Sequence, residues 1–253
     1  MELPEGTLEI LDVFIKEFVK DKDVVLGLSG GIDSAVVAYL LKRNLRRERI
    51  HIYSLPAGTE SPDIPKVSEF LKLKYETFSI GEPINFFRKI TQDNRVAGNV
   101  TARLRMVFLY EMANKMNGLV AGTSNKSELL TGYFTKHGDG ASDFQPLGDL
   151  YKTQVFEIAK LLGFPEWLIK KKPSADLWEG QTDEGELGMS YEDLDKVLVC
   201  MEHSKEIGQC KVPGVTESEI SRIYGLVHSN AHKRINFFIP KIGFRAVGTD
   251  WLE

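Results

Sequence analysis

Residues 24–34 read Val-Val-Leu-Gly-Leu-Ser-Gly-Gly-Ile-Asp-Ser. Two hydroxyls (Ser29, Ser34), two glycines (Gly30, Gly31) and a carboxylate (Asp33) are thus gathered between an apolar run and the helical pattern Ala35 to Leu41. A strand that turns through glycines into a helix N-terminus aims backbone N–H groups and the positive end of the helix dipole at one spot, which suits an anion. Asp33 beside that anion is repulsive unless a cation lies between them, so the pattern implies a phosphate group together with Mg2+. Two common phosphate loops are excluded. A Walker A loop ends in Gly-Lys-Ser/Thr, whereas Ile32-Asp33-Ser34 stands in that place. The Gly-x-Gly-x-x-Gly spacing of a dinucleotide loop fails as well.

A second concentration of polar and glycine residues runs from 121 to 154. It holds Gly122-Thr123-Ser124-Asn125 with Glu128, then Gly132-Tyr133-Phe134-Thr135-Lys136-His137-Gly138-Asp139-Gly140, Asp143, and Leu150-Tyr151-Lys152-Thr153-Gln154. By local pattern alone, Glu128 reads equally as a solvated acid early in a helix. Arg103 reads as a surface arginine, and His232 as a solvated histidine at a helix end.

The Ser-Gly-Gly-x-Asp-Ser pattern resembles the pyrophosphate loop of the ATP pyrophosphatases, which cleave ATP between its α and β phosphates. The 122–154 motifs narrow this resemblance to the NAD synthetase family. Gly98 to Met106 (Gly-Asn-Val-Thr-Ala-Arg-Leu-Arg-Met), Pro173 to Glu184 (Pro-Ser-Ala-Asp-Leu-Trp-Glu-Gly-Gln-Thr-Asp-Glu) and His232-Lys233-Arg234 match it too, in order along nearly the whole chain. The resemblance implies amidation of deamido-NAD by ammonia, driven by ATP through an acyl-adenylate, with release of AMP and pyrophosphate. It assigns ATP to Gly27, Leu28, Ser29, Gly30, Gly31, Ile32, Asp33, Ser34, Thr123, Lys152 and Ser174. It assigns magnesium to Asp33 and Glu128, and deamido-NAD to Arg103, Lys136, Asp143, His232 and Lys233. Asp139 and Asp143 are the candidates to accept a proton from ammonium or from its adduct. The family's homodimers place the deamido-NAD site at the subunit contact; Leu104, Val107, Phe108 and Met112 offer either such a face or core packing. A glutamine-dependent version needs a further domain with a nucleophilic cysteine, so free ammonia is the expected nitrogen source.

Elements must bring these residues together. Apolar segments at 24–29, 50–55, 75–80 and 118–123 read as strands. Helical patterns cover 5–20, 62–74, 98–116, 151–162, 165–171, 191–202 and 217–229. In the first of them, Leu8, Leu11, Ile15, Phe18 and Val19 share a face. Alternation of strands and helices predicts an α/β fold: a parallel twisted sheet with helices on both faces, Rossmann-like in the manner of the adenine nucleotide α-hydrolases, followed by a helical C-terminal region. Ligands in such sheets sit beyond the strand C-terminal ends. The expected organisation is one domain, 1–253, with an ATP-binding core at about 20–165 and a helical part at about 166–253. Residues 173–190 are too polar and too long for a simple connector and suit a binding loop.

The chain has 253 residues and a formal net charge of −4. No polybasic tail is present, which disfavours nucleic acid as a partner. That weighs against the rival within the superfamily, a tRNA-modifying ligase or thiolase; a nucleotide-binding module without turnover would not need the 132–152 constellation. Lys42 to Arg47 and Lys170-Lys171-Lys172 read as solvated helix ends, the latter just upstream of Ser174. No apolar run is long enough to span a bilayer, and no secretory signal is visible at the N-terminus. The two cysteines, Cys200 and Cys210, read as ordinary thiols without metal spacing or a disulfide framework. The expected compartment is the cytoplasm.

Overall fold

The computed structural model describes residues 1–91, 93–174, 180–204, 207–235 and 242. Among these, four strands form one parallel sheet in the order β3-β2-β1-β4, with β1 at Val24–Gly27, β2 at Ile50–Ser54, β3 at Glu76–Thr77 and β4 at Leu119–Ala121. Helices α1 (Thr7–Val19), α2 (Ile32–Asn44), α3 (Asp63–Leu71), α4 (Gly81–Arg88) and α5 (Asn94–Lys115) accompany the strands. After β4 come α6 (Lys126–Thr131), α7 (Lys152–Leu161), α8 (Glu166–Ile169), α9 (Asp183–Leu187), α10 (Tyr191–His203), α11 (Glu217–Ser229) and α12 (Ala231–Arg234).

The sheet is covered on both sides, as expected for parallel strands without polar alternation. Val24 and Leu26 of β1 enter one core with α1, α2, α3 and α7, while Val25 enters a second with Phe108, Leu109 and Met112 of α5. Register places Val24 between Ile50 and Leu119, so β1 is central. Helix α2 has apolar residues all round because it is enclosed: Val36, Val37, Leu40 and Leu41 are fully buried. A third core lies between α10 and α11, around Leu194, Leu198, Ile220 and Ile223.

Four sequence expectations need correction. The third strand is only Glu76–Thr77, because its partner β2 runs into Pro56. The chain stays alongside without regular pairing: Phe78 donates to the Ser54 carbonyl and Ile80 to the Pro56 carbonyl. In α1 the buried stripe is Leu11, Ile15 and Val19; Phe18 is exposed and clusters with the rings of Phe14 and Phe144. Short α6 and α9 and the eight-residue α4 have too few turns to show a helical period. Finally, Cys200 and Cys210 are joined in a disulfide, their Cα atoms 5.5 Å apart. Cys200 sits near the end of α10 and the chain folds back after it, so ten residues of separation close into contact. The cysteines therefore give no support to a reducing compartment. Among the described residues no helix is long and apolar enough to cross a membrane.

Candidate functional site

The glycine turn leaves the C-terminal end of β1, the central strand. Gly30 takes a left-handed φ of 77°, and a Cβ there would lie 3.3 Å from the Ile64 backbone nitrogen. Glycine is thus required both by conformation and by the approach of α3. The turn's hydroxyls interlock. The Gly31 N–H donates to Ser29 Oγ at 3.2 Å, Ser34 Oγ donates to the Gly31 carbonyl at 3.1 Å, and the two hydroxyl oxygens are 3.1 Å apart.

Asp33, in the first turn of α2, meets the second polar segment across the sheet. Asn125 Nδ2 donates to Asp33 Oδ1 at 3.0 Å, and Lys152 Nζ donates to Asp33 Oδ2. The same Asn125 caps α6: its Oδ1 accepts the Glu128 N–H at 3.1 Å, while Glu128 Oε2 accepts the Asn125 N–H at 3.3 Å. Glu128 Oε1 then lies 3.8 Å from Lys152 Nζ. Lys152 is the first residue of α7, and its side chain is only 2 % exposed, against 17 % for Asp33 and 16 % for Glu128. Its ammonium also lies over the rings of Tyr191 and Phe156.

These charges shape one another. Burial, and then the Asp33 carboxylate, push the Glu128 pKa up to about 8 against the pull of Lys152. Burial disfavours the charge of Lys152, yet Asp33 and Glu128 together hold its pKa above the ordinary lysine value. Asp183, almost fully buried at the start of α9, is raised by burial and lowered by Lys152; Tyr191 donates to its Oδ2 at 3.1 Å. Beneath the cluster, Asp195 accepts Ser127 Oγ–H on one oxygen and the Thr153 N–H at 2.8 Å on the other.

A cleft of about 330 Å³ is lined by Tyr110, Phe134, Lys136, Asp143 and Lys233 among others. Arg103 Nε donates to the Lys136 carbonyl at 3.3 Å, Lys136 Nζ to the His232 carbonyl at 2.7 Å, and Lys233 Nζ to the carbonyls of Gly132 and Phe134. Segments 103, 132–143 and 232–233 are therefore one neighbourhood, although the His232 ring itself is exposed and outside the cleft lining. Asp143 Oδ2 accepts the Val120 N–H at 2.7 Å, which ties the cleft to β4. Asp139 accepts the Thr135 N–H at 2.9 Å; crowding of its carboxyl by the surrounding chain raises its pKa.

The NAD synthase family model matches residues 7–236. The chain belongs to that family. Its relatives include the NH3-dependent NAD+ synthetases of Pyrococcus horikoshii, 45 % identical over 87 % of this chain and 90 % of that one, and of Archaeoglobus fulgidus, 45 % identical over 91 % and 94 %. Solved structures with this fold include the NMN synthetase of Francisella tularensis, with a TM-score of 0.81, 34 % identity, and coverage of 96 % of this chain and 100 % of that one. They also include the NH3-dependent NAD synthetase of Campylobacter jejuni, with a TM-score of 0.75, 34 % identity, and coverage of 94 % and 98 %.

Within this member of the family, the glycine turn, Asp33, Glu128 and Lys152 are brought together. Thr123 sits half-buried just past β4. Ser174 donates to the Gln181 carbonyl at 2.8 Å, closing the base of the 174–181 loop, of which 175–179 lie outside the described residues. Asn125, Asp183, Tyr191 and Asp195 are absent from the set read from sequence. Asn125 had a local signal, the Asn-x-x-Glu capping pattern, and Asp183 lies in the matched 173–184 stretch.

Proposed function

We propose that the chain amidates deamido-NAD with ammonia and ATP, giving NAD+, AMP and pyrophosphate through an acyl-adenylate. One observation carries this reading: in a chain 45 % identical to NH3-dependent NAD+ synthetases, the glycine turn of residues 29–34 meets Asp33, Glu128 and Lys152 at the strand ends. In nucleotidyl transfer a protein chiefly positions groups and offsets charge. The turn's N–H groups and hydroxyls hold the departing pyrophosphate, with Lys152 as the adjacent cation and Thr123 and Ser174 as further ATP contacts. Asp33 and Glu128 fit Mg2+, which takes one or two carboxylates plus phosphate oxygens and water: both are carboxylates on segments that leave strand ends, and Asn125 and Lys152 hold them in one cluster. Bound there, Mg2+ would offset the charge of the triphosphate.

Arg103, Lys136 and Lys233 supply cations for the anionic second substrate, with Asp143 and His232 beside them. Asp139 and Asp143 are the proton acceptors for ammonium. Exposed apolar residues Val107 on α5 and Phe86 on α4 support a homodimer. The family match over 7–236 supports a single domain with the core and helical part given above. A cytoplasmic site of action goes with these substrates.

The purified chain with deamido-NAD, ATP, Mg2+ and ammonium should yield NAD+ and pyrophosphate in equal amounts. Yield of neither would refute the reading. The likeness to an NMN synthetase favours one alternative, the mononucleotide as the acid amidated. Higher kcat/KM on nicotinate mononucleotide than on deamido-NAD would establish that alternative instead.

A further inference from the structure

Lysines 170–172 follow α8, where a solvated helix end is the ordinary expectation. Lys170 conforms: its side chain is 72 % exposed and pairs with Glu166 one turn back. Lys171 does not, being only 27 % exposed. Its Nζ is 2.8 Å from Asp63 Oδ2 and donates to the Gly30 carbonyl at 3.2 Å.

That carbonyl is one end of the Gly30–Gly31 peptide. The other end, the Gly31 N–H, donates to Ser29 Oγ. In a trans peptide the two groups point in opposite directions, so Lys171 and Ser29 fix this plane from its two sides. A carbonyl turned toward a phosphate would repel it, and Lys171 draws this one away. Ser29 Oγ is also the neighbour of Ser34 Oγ, so the setting of both hydroxyls depends on the same plane. A left-handed glycine has other conformations open to it, which makes an external restraint consequential. Asp63, in the first turn of α3, anchors the ammonium; Lys66 contacts its other oxygen at 3.1 Å, and the Lys171 ammonium lowers its pKa below the usual aspartate value.

We propose that Lys171 is a positioning residue of the glycine loop: held by Asp63, it fixes the Gly30–Gly31 peptide so that the loop's hydroxyls and N–H groups face the phosphates of ATP. This rests on residues 27–34 being the ATP loop. It also places a restraint on the loop from the chain immediately before Ser174, so both are set from one segment.

The test is a titration of the whole chain with ATP and magnesium, alongside steady-state kinetics. Lys171→Ala should weaken ATP binding about tenfold, the loss expected for one charge-assisted hydrogen bond. KM for deamido-NAD at saturating ATP should stay within about twofold. Lys171→Arg, which keeps a charged donor, should recover most of the ATP affinity. Asp63→Asn should weaken ATP in the same direction, and it carries the comparison by itself if Lys171→Ala does not fold. Unchanged ATP affinity in folded variants, or equal losses for both substrates, would overturn the proposal. A wild-type chain that binds no ATP would instead overturn the assignment of the loop, and the inference with it.

Discussion

Lys152 is the side chain on which the site's electrostatics turn. An ammonium that is 2 % exposed is tolerable only with partners, and here they are Asp33 and, at 3.8 Å, Glu128. Asp33→Ala should therefore act on stability as well as on activity. It should lower stability by about 3 kcal/mol, because the buried cation keeps only the more distant acid. Urea unfolding checks this. Lys152→Met in the same background should regain most of that loss while NAD formation stays absent; strictly additive losses would show that the pair is not coupled. Glu128→Gln should reduce turnover at least about a hundredfold with the fold retained, as expected when charge stabilisation is removed; near-normal turnover would deny Glu128 its metal role. Asp139 offers a pH test. Crowding of its carboxyl by the surrounding chain raises its pKa, and a base acts only when ionised, so activity should rise with pH through that raised value. Asp139→Asn should remove this limb of the kcat profile, and an intact limb would take the proton-acceptor role away from Asp139. The turn residues 29–34 were legible because their chemistry is local. Asn125 as the partner of Asp33 was not: it stands 92 positions away, and an asparagine carries no charge to suggest the pairing.

At the scale of elements, the site depends on three helix ends meeting. Asp195 of α10 accepts Ser127 Oγ–H next to the start of α6 and the Thr153 N–H in the first turn of α7. Ser127 Oγ also accepts the Lys152 N–H at 2.9 Å. A carboxylate suits this place because both of its oxygens face donors. Asp195→Asn turns an amide NH2 toward one of them and should cost about 2 kcal/mol, visible as a lowered Tm, with Lys152 and Glu128 losing their mutual setting and activity falling in step. A Tm equal to wild type would show that the helix ends are held elsewhere. Long helices and the central strand were readable from periodicity and apolar runs. The failures have separate causes. Helices α6 and α9 have six and five residues, too short for a period, and they are specified by caps such as Asn125 and Thr182. Strand β3 was read from its own composition, although Pro56 on its neighbour limits it.

For the whole molecule, surface apolarity outlines where another copy could sit. Val107 is 57 % exposed on α5, whereas Phe108 and Met112 of the same helix help to fill the second core, so the core reading holds for those two and Val107 is left as the residue through which a dimer face can be tested. Val107→Asp should shift sedimentation toward the monomer and lower deamido-NAD turnover together. A dimer that persists would remove α5 from the contact. The order of the sheet has one more consequence. Its interior strand β1 carries the glycine turn, whereas the strand on its flank, β4, leads into Asn125, Glu128 and Lys152, and the chain between them runs through β2 and β3 and helices α2 to α5. The charges of the candidate site are thus divided between two stretches of chain that meet where β1 pairs with β4 and α2 packs on α7. A protein severed between α4 and α5 would keep Asp33 in one piece and Glu128 and Lys152 in the other, and recovery of activity on mixing would report the rejoining of the β1–β4 ladder and of the cores on either side of it.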